Sequence, residues 1–190
     1  MKITELVTLT TGSPQFRIKE SISQEASIYK FYNQTDLESD LTGIKVEEQE
    51  SKQIKTLDKV TTLNNGDIIF SLISGSASIV KQNHKGYLFT QNYVLLNTSE
   101  NIDPGFLVYL LNEDRLIERQ FRMGLQGSMV LKYTVKQLRE LKLPNLPAIE
   151  KQRIIGSIYL KQLRLQALYE RRARNEMTLR LSKLQGAYHA

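Results

Sequence analysis

Few side chains in this 190-residue sequence have the types and spacing that catalysis needs. Asp40, taken with Glu50-Ser51-Lys52, matches the acid…acid-x-Lys spacing that binds magnesium for phosphodiester cleavage. Nuclease sites of this kind lie on neighbouring strands of a rigid sheet, whereas Glu50 falls in a charged stretch, residues 47–52, typical of an exposed loop. We therefore favour a solvated charge cluster and keep the nuclease as a third hypothesis.

The sequence lacks the motifs that are typical of other classes of enzyme. The sequence has no cysteine, which excludes thiol chemistry, disulfides and cysteine-ligated zinc, and its two histidines, His84 and His189, are far apart in the chain. It has no Gly-rich phosphate loop followed by Lys-Ser or Lys-Thr, no Gly-x-Gly-x-x-Gly, and no Gly-x-Ser-x-Gly elbow to support a Ser-His-Asp site. The Asn-Pro-Pro-Tyr motif of adenine methyltransferases is also absent. We expect a protein that is not an enzyme and that needs no metal or cofactor.

Three clusters of polar and basic residues have the types that bind DNA. The first is Ser13, Gln15, Arg17 and Lys19, the second is Ser74, Ser76, Ser78, Lys81, His84 and Lys85, and the third is Arg122, Gln126, Ser128, Lys132 and Tyr133. Arginine and glutamine can pair with the edges of guanine and adenine, while lysine and serine mostly contact phosphates. We expect phosphate contacts from Arg17, Lys19, Lys81, Lys85, Arg122 and Lys132. We expect base contacts from some of Gln15, Ser76, His84, Gln126 and Tyr133, with Ser128 as a further contact. Each cluster alone also has the composition of an ordinary solvated loop.

The strands and helices that must position these clusters can be predicted from sequence patterns, and together they indicate an α+β fold. The short apolar run 68–73 follows the turn Asn64-Asn65-Gly66-Asp67, and residues 77–80, 87–90 and 93–96 continue the pattern, which indicates an antiparallel sheet with polar loops. Asp103 before Pro104 predicts the start of a helix, a further helical stretch covers about 114–121, and Thr134 with Gln137 has the spacing of a capping box. The clusters then lie in loops of a mixed α/β domain.

A single long helix is predicted for residues 147–185, roughly 55 Å at 1.5 Å per residue. Two apolar stripes run along it. One contains Ile154, Ile158, Leu165 and Tyr169, and the other contains Leu160, Leu163, Ala167, Met177, Leu181 and Leu184. Because one stripe needs only the helix's own domain, two stripes indicate a second neighbour. We expect a domain over 1–145 and a coiled-coil dimerisation helix over 146–190.

The charge of the chain lies in that helix. It carries nine basic and three acidic residues, which equals the whole formal excess of +6. Part of this charge is balanced by the i,i+4 pairs Glu170–Arg174 and Glu176–Arg180. A second excess, seven basic against two acidic residues, falls between Arg115 and Lys142, where the third cluster lies. A pI near 9.4 makes a polyanionic partner plausible. Without a membrane-length apolar run or a signal-peptide core, we expect a soluble cytoplasmic protein.

Several segments together resemble a known family, the specificity (S) subunits of type I restriction–modification systems. The segment with the greatest weight is Leu143-Pro144-Asn145-Leu146-Pro147-Ala148-Ile149-Glu150-Lys151-Gln152-Arg153-Ile154-Ile155, which is similar to the proline-bounded opening of the family's long spacer helix. The others are Thr11-Gly12-Ser13-Pro14, the stretch from Ile28-Tyr29 to Asp36-Leu37-Glu38-Ser39-Asp40-Leu41, Asn65-Gly66-Asp67-Ile68-Ile69-Phe70-Ser71, Gln91-Asn92-Tyr93-Val94-Leu95-Leu96, Tyr109-Leu110-Leu111 and Gly127-Ser128 ahead of residues 138–143. Their order and spacing carry the resemblance over nearly the whole chain.

The resemblance implies a non-catalytic domain that recognises double-stranded DNA and holds methylation subunits and, in some assemblies, restriction subunits. This chain has one recognition domain and one helix where full subunits have two of each, so it resembles a half-subunit. Two copies with antiparallel helices would restore the full arrangement as a homodimer that reads a bipartite site. The alternative is an S-like adaptor that binds methylation or specificity subunits without reading DNA. The target sequence depends on loop geometry and is not predicted.

Overall fold

The structure is a computed structural model and describes residues 1–45, 51–124 and 133–188. A four-stranded antiparallel sheet forms its centre, in the order β1-β6-β4-β5, with β1 Val7–Thr11, β4 Ile68–Ser71, β5 Ala77–Ile79 and β6 Tyr93–Thr98. A separate two-stranded antiparallel ribbon joins β2 Ser27–Lys30 to β3 Gln53–Thr56. The predicted antiparallel sheet and the α+β class are confirmed.

Five helices surround the sheets within the described residues. They are α1 Gln34–Thr42, α2 Pro104–Glu113, α3 Arg115–Gly124, α4 Val135–Glu140 and α5 Ile149–Tyr188. The sequence signals for two of them are seen directly. Asp103 accepts the amide hydrogen of Phe106 ahead of Pro104, and Thr134 and Gln137 form the reciprocal capping box. The long helix is also confirmed, and its 40 residues span about 60 Å.

Two apolar cores cover the two faces of the central sheet. The larger combines Phe70, Val94 and Leu96 with the buried face of α2 and with Leu138 and Leu141 near α4. The smaller packs Leu37 of α1 and Leu63 against Ile69 and Tyr93. Residues with even and odd positions on β4 therefore face different cores, because side chains alternate across a strand. This two-sided burial explains why residues 68–70 are apolar without interruption.

Sequence reasoning missed part of this fold. Helix α1 and the ribbon β2–β3 lie between residues 27 and 56, where no helix or strand was predicted, and residues 87–90 do not form a strand of the sheet. They instead make isolated bridges, in which Leu88 pairs with Phe31 and Thr62 and Thr90 pairs with Ser13. These contacts join distant parts of the chain, so local periodicity could not indicate them.

Candidate nucleic-acid interface

One end of the four-stranded sheet gathers most of the loops that the sequence singled out. The register places Thr11 opposite Val94, Ser71 opposite Tyr93, and Phe70 opposite Ala77, so the end of β1, the end of β4 and the starts of β5 and β6 lie together. We call this end the loop face, formed by residues 12–19, 72–76, 90–92 and the two flanks of the 125–132 segment, Arg122 and Tyr133. It is the candidate nucleic-acid interface.

The first cluster leaves β1 through a close backbone contact at Gly12. A side-chain carbon at this position would lie 2.2 Å from the Thr90 carbonyl oxygen and 2.5 Å from that of Phe89, so only glycine fits. The chain then forms a short turn, Gln15–Arg17, whose residues are exposed. Gln15 Oε1 accepts a hydrogen bond from the Lys52 ammonium at 3.0 Å. The turn is thereby held against the start of β3.

A groove of about 400 Å³ lies beside this turn. Arg17, Lys19 and Lys59 contribute three cations to its lining, against the single carboxylate of Asp58. That carboxylate already accepts a hydrogen bond from the backbone amide of Lys19 at 2.8 Å. The groove is therefore electropositive and suited to a phosphate.

The members of the second cluster lie toward two different ends of the sheet. Ser76 lies in the turn between β4 and β5 at the loop face, whereas Lys81, His84 and Lys85 follow β5. Lys81 comes four residues after Ala77, about 13 Å along an extended strand, and hence lies toward the other end of the sheet. Lys81 and Lys85 are exposed. Of this cluster, only the turn serines Ser74 and Ser76 join the loop face.

His84 differs from the expectation of an exposed base-reading side chain. It is 9% exposed, and its ring Nδ1 lies 2.8 Å from Asp40 Oδ1 while Nε2 lies 3.3 Å from Asp36 Oδ1. Asp40 also accepts hydrogen bonds from the Tyr32 hydroxyl at 2.9 Å and from the Lys81 amide at 3.1 Å. The placement is a correction to the sequence expectation: the imidazole joins α1 to the segment after β5 instead of facing solvent.

Burial and the charges around His84 shift the pKa values of several neighbouring groups. Burial alone would lower the pKa of His84, but the hydrogen bond and charge of Asp40, with Asp36, outweigh it and hold the pKa above its ordinary value. Burial raises the pKa of Asp36, and burial with the adjacent Asp40 raises that of Tyr32. Burial also raises the pKa of Tyr93 to about 12. The network favours a protonated imidazole between two carboxylates.

The last member of the third cluster, Tyr133, is held at the loop face. The Tyr133 amide donates to the Leu72 carbonyl at 3.1 Å, and its ring packs edge-on against Phe121 and Phe70. Gly75, with φ +73°, leaves room for that ring, since an added side-chain carbon would lie 2.2 Å from it. Tyr133 is therefore partly packed, while Arg122 is exposed at the other flank and pairs with Glu118. Gln126, Ser128 and Lys132 lie outside the described residues.

Helices α2 and α5 position the Ser76 turn. The Asn112 side chain binds the free edge of β5, accepting from the Ala77 amide at 2.7 Å and donating to its carbonyl at 3.0 Å. Asn112 also donates to the Tyr159 hydroxyl at 3.2 Å, and that hydroxyl donates to Glu113. These residues, which sequence reasoning missed, connect the long helix to the loop face. No local pattern around Asn112 could have indicated a contact 35 residues away.

The first half of α5 packs on the domain. Gly156 and Gly105 bring α5 and α2 into backbone contact, and buried Gln152 accepts the Asp103 amide and donates to the Asn101 and Pro147 carbonyls. Leu160 packs against the larger core, and Leu163 and Ala167 are partly buried. These three predicted dimer contacts thus face the chain's own domain. The division into 1–145 and 146–190 stays a prediction.

Two parts of α5 remain uncovered. Ile154, Ile158, Leu165 and Tyr169 lie on the side away from the domain and are 42–62% exposed. Beyond the domain, Met177, Leu181 and Leu184 continue the inner stripe and are 47–66% exposed. With Tyr188 their spacing is four, three and four residues, the repeat of a coiled-coil seam.

The nuclease arrangement has little support from the residues that are described. Asp40 is 2% exposed and bound to Tyr32 and His84, while Lys52 lies 5.9 Å from the centre of the Phe31 ring. Glu50 lies outside the described residues. Within residues 1–45, 51–124 and 133–188, no group of three or more histidine and acidic side chains is arranged to hold a metal ion. In the same ranges, no helix is long and apolar enough to cross a bilayer.

Comparison with known proteins gives two kinds of similarity. A family model for the type I restriction modification DNA specificity domain matches residues 1–177. The fold is similar to the HsdS subunit of Thermoanaerobacter tengcongensis, at 17% identity and TM-score 0.54 over 91% of this chain and 39% of that one.

A second solved chain comes from a study of complex assembly and conformational transition in a type I R-M system. It matches at 18% identity and TM-score 0.60, over 97% of this chain and 42% of that one. The chain thus spans about two-fifths of the length of these solved proteins. No curated protein matches the sequence.

Proposed function

The chain belongs to the family of type I restriction modification DNA specificity domains, and on that premise we propose that it selects a DNA sequence as a half-sized specificity subunit. Specificity subunits of these systems are DNA-recognition proteins without catalysis, so the prediction that the chain is not an enzyme is confirmed. The observation that supports this form is the long helix α5, on which Ile154, Ile158, Met177, Leu181 and Leu184 stay exposed in a single copy of the chain.

The loop face is the proposed contact with double-stranded DNA. Arg17, Lys19 and Lys59 line one groove, and Arg122 flanks the opposite edge beside Tyr133. Cations at both edges would hold the phosphate backbone, while Gln15 and Ser76 on the same face would make base contacts. We also propose DNA contacts by Gln126, Ser128 and Lys132, which lie in the 125–132 segment. Lys81 and Lys85 are proposed as more distant phosphate contacts.

The proposed homodimer pairs two α5 helices in antiparallel orientation. In that arrangement the exposed end of one helix, with Met177, Leu181 and Leu184, would lie beside the outer stripe of its partner, with Ile154 and Ile158. A two-fold axis makes the contact occur twice, so each copy covers both uncovered surfaces of the other. Such a dimer would present two loop faces to one duplex and would hold methylation subunits, with or without restriction subunits. Because its ligand is cellular DNA, we place the protein in the cytoplasm.

DNA binding by the loop face is tested with Arg17→Ala/Arg122→Ala, with Lys151→Ala/Arg153→Ala as the control on exposed positions at the start of α5. Affinity for duplex DNA is measured by fluorescence anisotropy against salt concentration. We expect the slope of log affinity against log salt to fall by about 1.8 in the first variant and to stay unchanged in the control, since each lost phosphate contact removes about 0.9. Affinity that does not depend on salt would contradict the proposal.

The adaptor is the second candidate function, favoured by the extent of uncovered apolar surface on α5. An adaptor would bind methylation or specificity subunits through that surface without using the loop face. Arg17→Ala/Arg122→Ala separates the two functions. If the variant loses sequence selection but keeps partner affinity, the chain reads DNA. If the wild-type chain binds partners and selects no DNA sequence in their presence, it is an adaptor.

A further inference from the structure

The ribbon β2–β3 and its flanking segment expose an unusual amount of apolar surface. Phe16 is 82% exposed, Ile22 97%, Ile28 65% and Leu57 62%. Large apolar side chains exposed to this extent in one region of a soluble protein are typical of binding surfaces. Phe16 belongs to the loop face, whereas Ile22, Ile28 and Leu57 belong to none of the contacts proposed above.

The register of the ribbon places a defined set of side chains on one face. Ile28 pairs with Lys55 and Lys30 pairs with Gln53. Because paired residues share a face and side chains alternate along each strand, Ile28, Lys30, Gln53 and Lys55 form a single four-residue face. Ile28 and Gln53 are exposed, and the two lysines are partly exposed. We call these four residues the ribbon face.

Charge identifies the kind of partner that this face suits. Residues 13–30 and 51–61 contain six basic and three acidic side chains, and the Asp58 carboxylate is already bound to the Lys19 amide. Lysine is depleted in protein–protein interfaces, whereas it is the common contact for phosphates. Two lysines beside an exposed isoleucine and glutamine therefore favour a polyanion that also offers apolar and hydrogen-bonding groups. A DNA groove offers all three.

The ribbon is attached directly to the loop face. The Phe31 amide donates to the Lys52 carbonyl, and Lys52 binds Gln15 in the turn of the first cluster. Residues 19–21 also bind β3, because the Ser21 amide donates to the Lys55 carbonyl at 2.8 Å and the Thr56 hydroxyl donates to the Lys19 carbonyl at 2.7 Å. A duplex held at Arg17 and Lys19 would thus lie next to the ribbon.

We propose that the β2–β3 ribbon enters the major groove of the DNA and contributes to the choice of sequence through its ribbon face. The major groove admits a two-stranded ribbon. Lys30 and Lys55 contact phosphates at the groove edges, Gln53 pairs with adenine, and Ile28 contacts a thymine methyl group. This inference rests on the proposed DNA-reading function and adds a second reading element beside the loops.

The first test compares Lys55→Ala with Lys151→Ala, an exposed lysine at the start of α5. Binding to a fluorescein-labelled duplex of about 30 base pairs, roughly three helical turns, is followed by anisotropy at increasing salt. We expect the slope of log affinity against log salt to fall by about 0.9 in Lys55→Ala and to stay at the wild-type value in Lys151→Ala. Circular dichroism melting of each variant checks that the fold is kept.

The second test is sequence selection by Gln53→Ala from a random duplex pool, with the methylation subunit added. We expect discrimination at one adenine position to fall roughly 5- to 150-fold while other positions keep theirs. If Lys55→Ala keeps the wild-type slope and Gln53→Ala the wild-type preference while Arg17→Ala/Arg122→Ala lowers the slope, the ribbon proposal is wrong and the DNA-reading function stands. If wild-type affinity is independent of salt and no sequence is selected, both fail.

Discussion

At the scale of single residues, the protein contains two buried polar networks that were not predicted. His84 was expected to be exposed, and no role was predicted for Gln152. His84 lies between Asp36 and Asp40, and Gln152 fixes the start of α5 to residues 101–103. Both are buried polar groups with several hydrogen-bond partners, so their contribution is to hold elements in register. A helical Asn33-x-x-Asp36 spacing ahead of Leu37 is the local signal that would have indicated α1 and its acidic face.

His84 gives a prediction about pH. Its folded pKa is raised above the unfolded value, so its contribution to stability is present below about pH 6.5 and is lost as pH rises through the folded pKa. We expect the wild-type free energy of unfolding to decline as the pH rises from about 6.5 through the folded pKa, by at most about 1.4 kcal/mol per pH unit from this group. Urea titration of wild type and His84→Asn measures the difference.

The variant should also be less stable at low pH, by roughly 1–3 kcal/mol, because it leaves the two carboxylates without their cationic partner. The difference between the two curves should shrink as the pH rises through the folded pKa of His84. Curves that stay parallel as the pH rises from about 6.5 would show that His84 does not carry the charge assigned to it.

Two buried serines on adjacent strands make a matched pair for a stability prediction. Ser71 Oγ donates to Gln34 and accepts the Ile73 and Ser74 amides, whereas Ser78 Oγ is buried without a hydrogen-bond partner among the described residues. Ser71→Ala should lower the free energy of unfolding by roughly 1–3 kcal/mol, and Ser78→Ala should leave it unchanged or raise it. Equal losses in chemical denaturation would contradict this assignment.

At the scale of elements, the α2–α5 crossing fixes how the long helix leaves the domain. A side-chain carbon on Gly156 would lie 2.5 Å from the Gly105 carbonyl carbon and from the Phe106 amide nitrogen. These are backbone atoms, so the helices must separate to admit it. The same crossing carries Tyr159 to Asn112 and hence to the Ser76 turn.

Gly156→Ala is therefore expected to destabilise the protein by about 1–3 kcal/mol, the usual range for overpacking. Gly186→Ala in the same helix is the control, because nothing lies within 4 Å of the added carbon. It should be neutral or gain up to about 1 kcal/mol through helix propensity. Thermal unfolding followed by circular dichroism compares them. A stable Gly156→Ala would mean that the crossing is looser than the structure indicates.

Local signals predicted most helices, and long-range contacts determined what was missed. Asp103-Pro104 and Thr134–Gln137 act within one turn, so the starts of α2 and α4 can be identified from sequence. The ribbon β2–β3 and the split of the second cluster depend on pairings such as Lys30 with Gln53 and Leu88 with Phe31. Nothing in the neighbouring residues specifies those pairings. Composition alone indicated Arg17 and Lys19 as DNA contacts. It could not indicate which other residues lie with them at the loop face.

At the scale of the whole molecule, α5 presents apolar surface that one copy of the chain leaves uncovered. The outer stripe and the distal seam are both exposed along a helix about 60 Å long. Sequence periodicity predicted both stripes, but it could not show that Leu160, Leu163 and Ala167 face the chain's own domain. That distinction required the position of α2 and α1 against the helix.

The dimer prediction uses variants with equal changes in charge. Leu181→Glu/Leu184→Glu places two carboxylates in the distal seam, whereas Lys183→Glu changes the charge by the same amount between them. Light scattering should give about twice 21.9 kDa for wild type and for Lys183→Glu, and 21.9 kDa for the double variant. A wild-type chain that stays monomeric at micromolar concentration would contradict the homodimer.

The most direct test of the half-subunit account is selection of bound duplexes from a random pool by the wild-type chain with the methylation subunit added. A two-fold dimer predicts two copies of one short sequence in inverted orientation, separated by a single fixed spacing. Enrichment of one unpaired block, or of no sequence at all, would contradict it.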